Sequence, residues 1–77
     1  MSNAAEVRVE CYSGGRADER PRRVQLGGDW RLVTSVLGAK RERDAEVFDV
    51  LLEGGEAVRL RRSVDSESWF LERRRPQ

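Results

Sequence analysis

Between Val47 and Leu60 the chain runs Val-Phe-Asp-Val-Leu-Leu-Glu-Gly-Gly-Glu-Ala-Val-Arg-Leu. An apolar run, a glycine pair and a strict apolar/charged alternation follow one another, which is the signature of a β-hairpin. Side chains alternate across a strand, so Phe48, Val50 and Leu52 share one face, and Val58 and Leu60 share another with Arg59 and Arg61 opposite. Both apolar sets must meet in one core. A two-residue loop at Gly54-Gly55 would set Phe48 against Arg61 and Val50 against Arg59. A three-residue loop sets Val50 against Val58 or Leu60, so the longer turn is expected, with a glycine at positive φ. Ala45, Phe48, Leu51 and Leu52 also fit helical spacing with Gly54 as a C-cap, which leaves a helix over 44–53 as the alternative.

The same alternation recurs along the chain. Val7, Val9 and Cys11 form the inward face of a first strand over Glu6 to Tyr12. Arg16 to Pro21 reads as an exposed loop. Arg22 to Leu26 is a second strand, and Gly27-Gly28-Asp29 is read as a three-residue turn that pairs Leu26 with Trp30 and Val24 with Leu32. The third strand, Trp30 to Leu37, then points Trp30, Leu32 and Val36 inward and Val33 and Leu37 outward, unless a bulge near Gly38 shifts the register. A turn centred on Asp65 leads to a last strand at Ser68 to Arg73, with Trp69 and Leu71 inward and Phe70 outward. The expected fold is all-β: a five- or six-stranded antiparallel meander forming a small open barrel or a strongly bent sheet. The expected core is Val7, Val9, Cys11, Val24, Leu26, Trp30, Leu32, Val36, Phe48, Val50, Leu52, Val58, Leu60, Trp69 and Leu71.

Seventy-seven residues make one domain, assigned to 5–73, with 1–4 an unstructured or processing-derived N-terminus and 74–77 a basic disordered tail. A chain this short buries only about 60% of its unfolded surface, so a dimer or a host protein would add stability. No run is apolar enough to span a membrane or serve as a signal peptide, and a cytoplasmic location is expected.

Composition closes off most chemistry. Histidine is absent and Cys11 is the single cysteine. A Ser-His-Asp or Cys-His mechanism, a zinc site and an internal disulfide are thereby excluded. No Asp-x-Asp or calcium-loop spacing occurs, and the three Gly-Gly pairs lack the residues of a phosphate loop. The expectation is a protein that is not an enzyme, with no cofactor, no metal and no membrane partner.

Charge is dense and balanced, with 15 basic and 14 acidic residues. Fourteen of the basic residues are arginine, Lys40 being the lone lysine. Arginine carries bidentate phosphate and carboxylate contacts, although a GC-rich coding bias accounts for the same excess. Arg59, Arg61 and Phe70, with Tyr12, Arg23 and Arg31 on other strands, are assigned to outer sheet faces, beside the Arg20, Arg22 and Arg23 cluster. Arginines interleaved with aromatics on a sheet suit single-stranded nucleic acid. The competing reading is a solvated face of cross-strand Arg–Glu pairs. A further alternative is a protein–protein surface or homodimer built on an outer apolar patch of Tyr12, Val33, Val47, Leu51 and Phe70.

Glu10-Cys11-Tyr12-Ser13-Gly14-Gly15-Arg16, then Glu19-Arg20-Pro21-Arg22-Arg23-Val24, Gly27-Gly28, Val36-Leu37 and Trp69 together resemble a small uncharacterised bacterial all-β domain family. Such domains are found alone or beside Y-family DNA polymerase-type proteins. The resemblance implies an accessory role in a DNA-repair setting, with a DNA-repair protein or nucleic acid as partner, and implies no catalytic residue.

Overall fold

The computed structural model describes residues 5–11 and 20–73. Seven strands are formed: β1 (Ala5–Val7), β2 (Val9–Cys11), β3 (Pro21–Leu26), β4 (Asp29–Arg41), β5 (Ala45–Leu52), β6 (Ala57–Ser63) and β7 (Trp69–Arg73). Their order is β1-β7-β6-β5-β4-β3-β2, every pairing antiparallel. From β3 to β7 the chain is a plain meander. The first strand expected from the sequence is split at Arg8: β1 pairs with β7 and β2 with β3. One continuous stretch therefore touches both ends of the meander and brings the sheet nearly to closure as a barrel. This split, and not an extra hairpin, raises the count above the five or six strands expected.

The central hairpin has the expected parity. Val50 pairs with Val58 and Phe48 with Leu60. Leu52 N–H donates to the Glu56 carbonyl at 2.8 Å, which leaves Glu53-Gly54-Gly55 as the three-residue loop. Both glycines adopt φ of +92°, where a side chain is strained. Residues 45–52 are a strand, so the helical alternative falls. Pairing with β4 on one side and β6 on the other outweighs an apolar spacing that is also helix-compatible.

The first hairpin has the opposite parity to that expected. Leu26 pairs with Asp29, Gln25 with Trp30, Val24 with Arg31 and Arg23 with Leu32. Gly27 and Gly28, at φ +57° and +90°, form a two-residue loop with both central residues at positive φ, the turn whose twist matches a hairpin. Trp30 and Leu32 therefore face solvent, at 37% and 49% exposure. Arg31 moves to the core side of β4, opposite the fully buried Val24. Val33, the residue after Leu32, therefore turns inward and pairs with Leu52; a bulge at Thr34 then brings Val36 opposite Val50, and a second at Leu37 shifts the register again. Val33 and Val36 both pack on the core, against the outward placement expected for Val33. Leu37, in the second bulge, is exposed as expected.

The core comprises Val24, Phe48, Val50, Leu52, Val58, Leu60, Trp69 and Leu71, with Val7, Val9, Cys11, Leu26, Val33 and Val36 against it. Phe48 and Trp69 stack obliquely, ring centroids 5.7 Å apart, a geometry worth about 1 kcal/mol beyond its buried area. No helix among the described residues is long and apolar enough to cross a membrane.

Candidate functional site

Two outer faces carry the arginines singled out above. The first belongs to β5, β6 and β7. Antiparallel register places Lys40, Val47, Arg61, Phe70 and Glu6 in one row across the sheet, and Gly38, Asp49, Arg59 and Glu72 in the next. Arg59, Arg61 and Phe70 thus share a face, as expected. Both guanidinium groups are engaged with carboxylates. Arg59 Nε lies 2.8 Å from Asp49 Oδ1 and its Nη2 lies 3.3 Å from Oδ2, a bidentate clamp. Arg61 Nη1 lies 2.6 Å from Glu42 Oε1 and its Nε lies 3.3 Å from Glu72 Oε2.

These pairs leave an electrostatic record. The hydrogen bond from Arg61, with its charge, holds the Glu42 carboxyl below the ordinary glutamate range, and Lys40 adds to the effect. The hydrogen bonds to Asp49 and Glu42 raise Arg59 and Arg61 respectively. Val47, on the same face and flanked in register by Lys40 and Arg61, is only 2% exposed. Leu51 and Phe70 are half-buried. The apolar patch expected here is accordingly largely covered, and Val33 is absent from it.

The second face belongs to β2, β3 and the first half of β4. Glu10 pairs with Arg23, which pairs with Leu32. In the next row Gln25 pairs with Trp30, and the Gln25 N–H donates to the Arg8 carbonyl at 2.9 Å. The Arg23 guanidinium grips Glu10 through two bonds of 2.8 and 3.0 Å, and its carbon lies 4.6 Å from the centre of the Trp30 ring. A carboxylate, a guanidinium and an indole are thus layered in sequence. The hydrogen bond from Arg23 leads in lowering the Glu10 carboxyl, and Arg22 contributes by its charge. Arg8 and Arg22 are exposed beside this stack, and Arg20 is exposed just before β3. Arg31, assigned to an outer face from the sequence, stands apart on the core side, 3.9 Å from Glu56.

Tyr12 lies outside the described residues. Of the other assigned residues, the fold groups Arg22 and Arg23 near Glu10 at the second face, and Arg59, Arg61 and Phe70 on the first, while Arg20 is exposed just before β3. Sequence reasoning missed Trp30, the one described aromatic that is both solvent-facing and flanked by arginine. A Gly-Gly pair suits a two-residue loop as well as a longer one, and the two-residue choice at Gly27-Gly28 is what turns Trp30 outward. Among the described residues no group of His, Cys, Asp and Glu could hold a metal ion. No protein-family model, no curated protein and no solved structure matches this chain.

Proposed function

We propose that this protein is a small non-catalytic binding module whose working surface is the outer face of β2, β3 and β4, and that its ligand is single-stranded nucleic acid. The observation that carries this reading is the Trp30 ring, exposed on a sheet face with the Arg23 guanidinium against it and Gln25 beside it. A base stacks on such a ring, or on the guanidinium plane over it, while cations nearby take phosphates. Arg8 and Arg22 stand near Glu10 there, a carboxylate held by Arg23, and Arg20 is exposed just before β3; Arg59 and Arg61 on the other face meet three carboxylates. The accessory place beside DNA-repair polymerases implied by the family resemblance belongs to the same proposal.

Fluorescence anisotropy of a labelled oligothymidine at low and physiological salt tests it. Binding should weaken steeply with salt, and Arg20→Ala with Arg22→Ala should reduce the slope by roughly 0.7 for each phosphate no longer neutralised. Trp30→Ala should cost about 1–3 kcal/mol at constant salt. Absence of binding at low salt refutes the reading.

A second reading follows from Leu32, 49% exposed and next to Trp30 on the same face. The pair would serve as the apolar anchor of a protein contact or homodimer. Light scattering across a concentration range tests the homodimer: a monomer throughout removes it.

A further inference from the structure

Where the first strand changes partners, one backbone edge is left open. The Gln25 N–H bond to the Arg8 carbonyl shows that Arg8 turns its backbone toward β3. Backbone groups alternate between the two edges of a strand, so the N–H and C=O of Val9 point away from β3. On that side β7 pairs with β1 only as far as Val7 and Trp69. Before Trp69 the chain turns off, with Glu67 at φ +59° bonded back to Ser63. Among the described residues no turn or loop backbone group reaches the Val9 N–H or C=O on that side.

An open groove of about 400 Å³ occupies this gap. Val7 to Glu10 form one wall, Glu67 to Trp69 the other, and Trp30 closes in from the side. Its charged lining is Glu6, Glu10 and Glu67 against Arg8. Glu10 is already clamped by Arg23, whereas no partner occurs for Glu6 or Glu67 among the described residues. An unpaired strand edge recruits another strand, and the local excess of carboxylates selects its side chains.

We infer that the groove between Val7–Glu10 and Glu67–Trp69 is a strand-addition site that takes an extended, lysine- or arginine-bearing segment of a partner protein. The segment's backbone pairs with Val9 and prolongs the track that β7 abandons. Its cationic side chains reach Glu6 and Glu67, with the indole of Trp30 as an apolar flank. This site shares Arg8, Glu10 and Trp30 with the proposed nucleic-acid face but is argued from the Val9 edge and from Glu6 and Glu67, and a different probe reports on it.

The probe is the peptide acetyl-Thr-Lys-Val-Lys-Val-Lys-Thr-amide, titrated into the full chain labelled with nitrogen-15. Two control peptides accompany it. One replaces both valines by proline, which keeps the charge and forbids pairing; the other replaces the lysines by glutamate. The Val9 amide should show the leading shift and gain protection from exchange. The proline peptide and the glutamate peptide should each bind at least roughly tenfold more weakly. Val9→Pro should abolish binding, because it removes the edge donor without removing a bond to β3. Should that variant fail to fold, Glu67→Lys reports instead, with an expected loss of roughly threefold or more. Equal binding of the valine and proline peptides would reduce the site to diffuse charge attraction and overturn the inference. So would the lack of any Val9 shift at millimolar peptide.

Discussion

The two tryptophans of this protein stand in opposite environments, and substituting each by alanine separates them. Trp69 is 9% exposed and stacks on Phe48 inside the barrel. Removing it deletes an aromatic core side chain and its ring partner, a change that costs about 3–5 kcal/mol. Domains of this size have a total stability of the order of 5–10 kcal/mol. Each kcal/mol moves the melting midpoint by about 4–8 °C, so Trp69→Ala should lower it by on the order of 20 °C or leave the chain unfolded. Trp30 is 37% exposed and its one described ring contact is the Arg23 guanidinium. Exposed contacts of that kind are worth about 0.5–1 kcal/mol, so Trp30→Ala should cost about 1 kcal/mol and a few degrees. Urea denaturation followed by far-ultraviolet circular dichroism measures both. Fluorescence gives an independent readout: Trp69→Phe leaves Trp30 as sole emitter with a red-shifted maximum, and Trp30→Phe leaves the blue-shifted Trp69. Equal destabilisation by the two alanine variants would place Trp30 inside. That result would refute the two-residue loop at Gly27-Gly28 and the face built on it.

Other perturbations test other parts of the account. Gly54→Ala and Gly55→Ala should each cost about 1–2 kcal/mol in urea midpoint, through backbone strain alone, because nothing lies within 4 Å of an added Cβ at either position. Leu60→Ala, at a site with no solvent exposure, should cost about 2–5 kcal/mol in the same experiment. Glu10 and Glu42 are both held below the ordinary glutamate value of 4.5 by arginine hydrogen bonds. Depressed carboxyls stabilise the fold above that value and lose their contribution as pH falls through the lower, folded one. Glu42→Gln should therefore flatten the acid limb of a stability–pH curve, read by thermal melts between pH 5 and about pH 2. Arg59→Ala and Arg61→Ala should leave any oligonucleotide affinity nearly unchanged in the anisotropy titration, since their guanidinium groups are occupied by Asp49, Glu42 and Glu72.

How much of this was legible depended on whether the apolar pattern favoured one parity. Around Gly54-Gly55 it did: Val58 and Leu60 alternate with Arg59 and Arg61, so one loop length buries all the apolar residues, and the structure has it. Around Gly27-Gly28 it did not. Trp30 and Leu32 are apolar on one parity; on the other Val33 partners Leu52, and Val36 partners Val50 once a bulge at Thr34 is introduced. Bulges at Thr34 and Leu37 leave no composition signal, because they are set by the pairing of this half of β4 with β5. Turn geometry decided where hydrophobicity was degenerate, and it placed Trp30 outside. The arginine-bearing face of β5 to β7 was foreseen in position. Its neutralisation by Asp49, Glu42 and Glu72 was foreseen only as the competing possibility, since partners 10 to 19 residues away are invisible to local spacing.

The split of the first strand between β7 and β3 has a temporal consequence. During synthesis, residues 5–11 emerge before either neighbour, yet the ladder from Ala5 to Leu71 needs the last strand to be made. Residues 5–7 must wait until β7 has been made, while residues 9–11 have β3 as an earlier companion. Seam closure therefore waits on β7, and a nascent chain arrested before Trp69 would present an unfinished rim to its neighbours on the polysome.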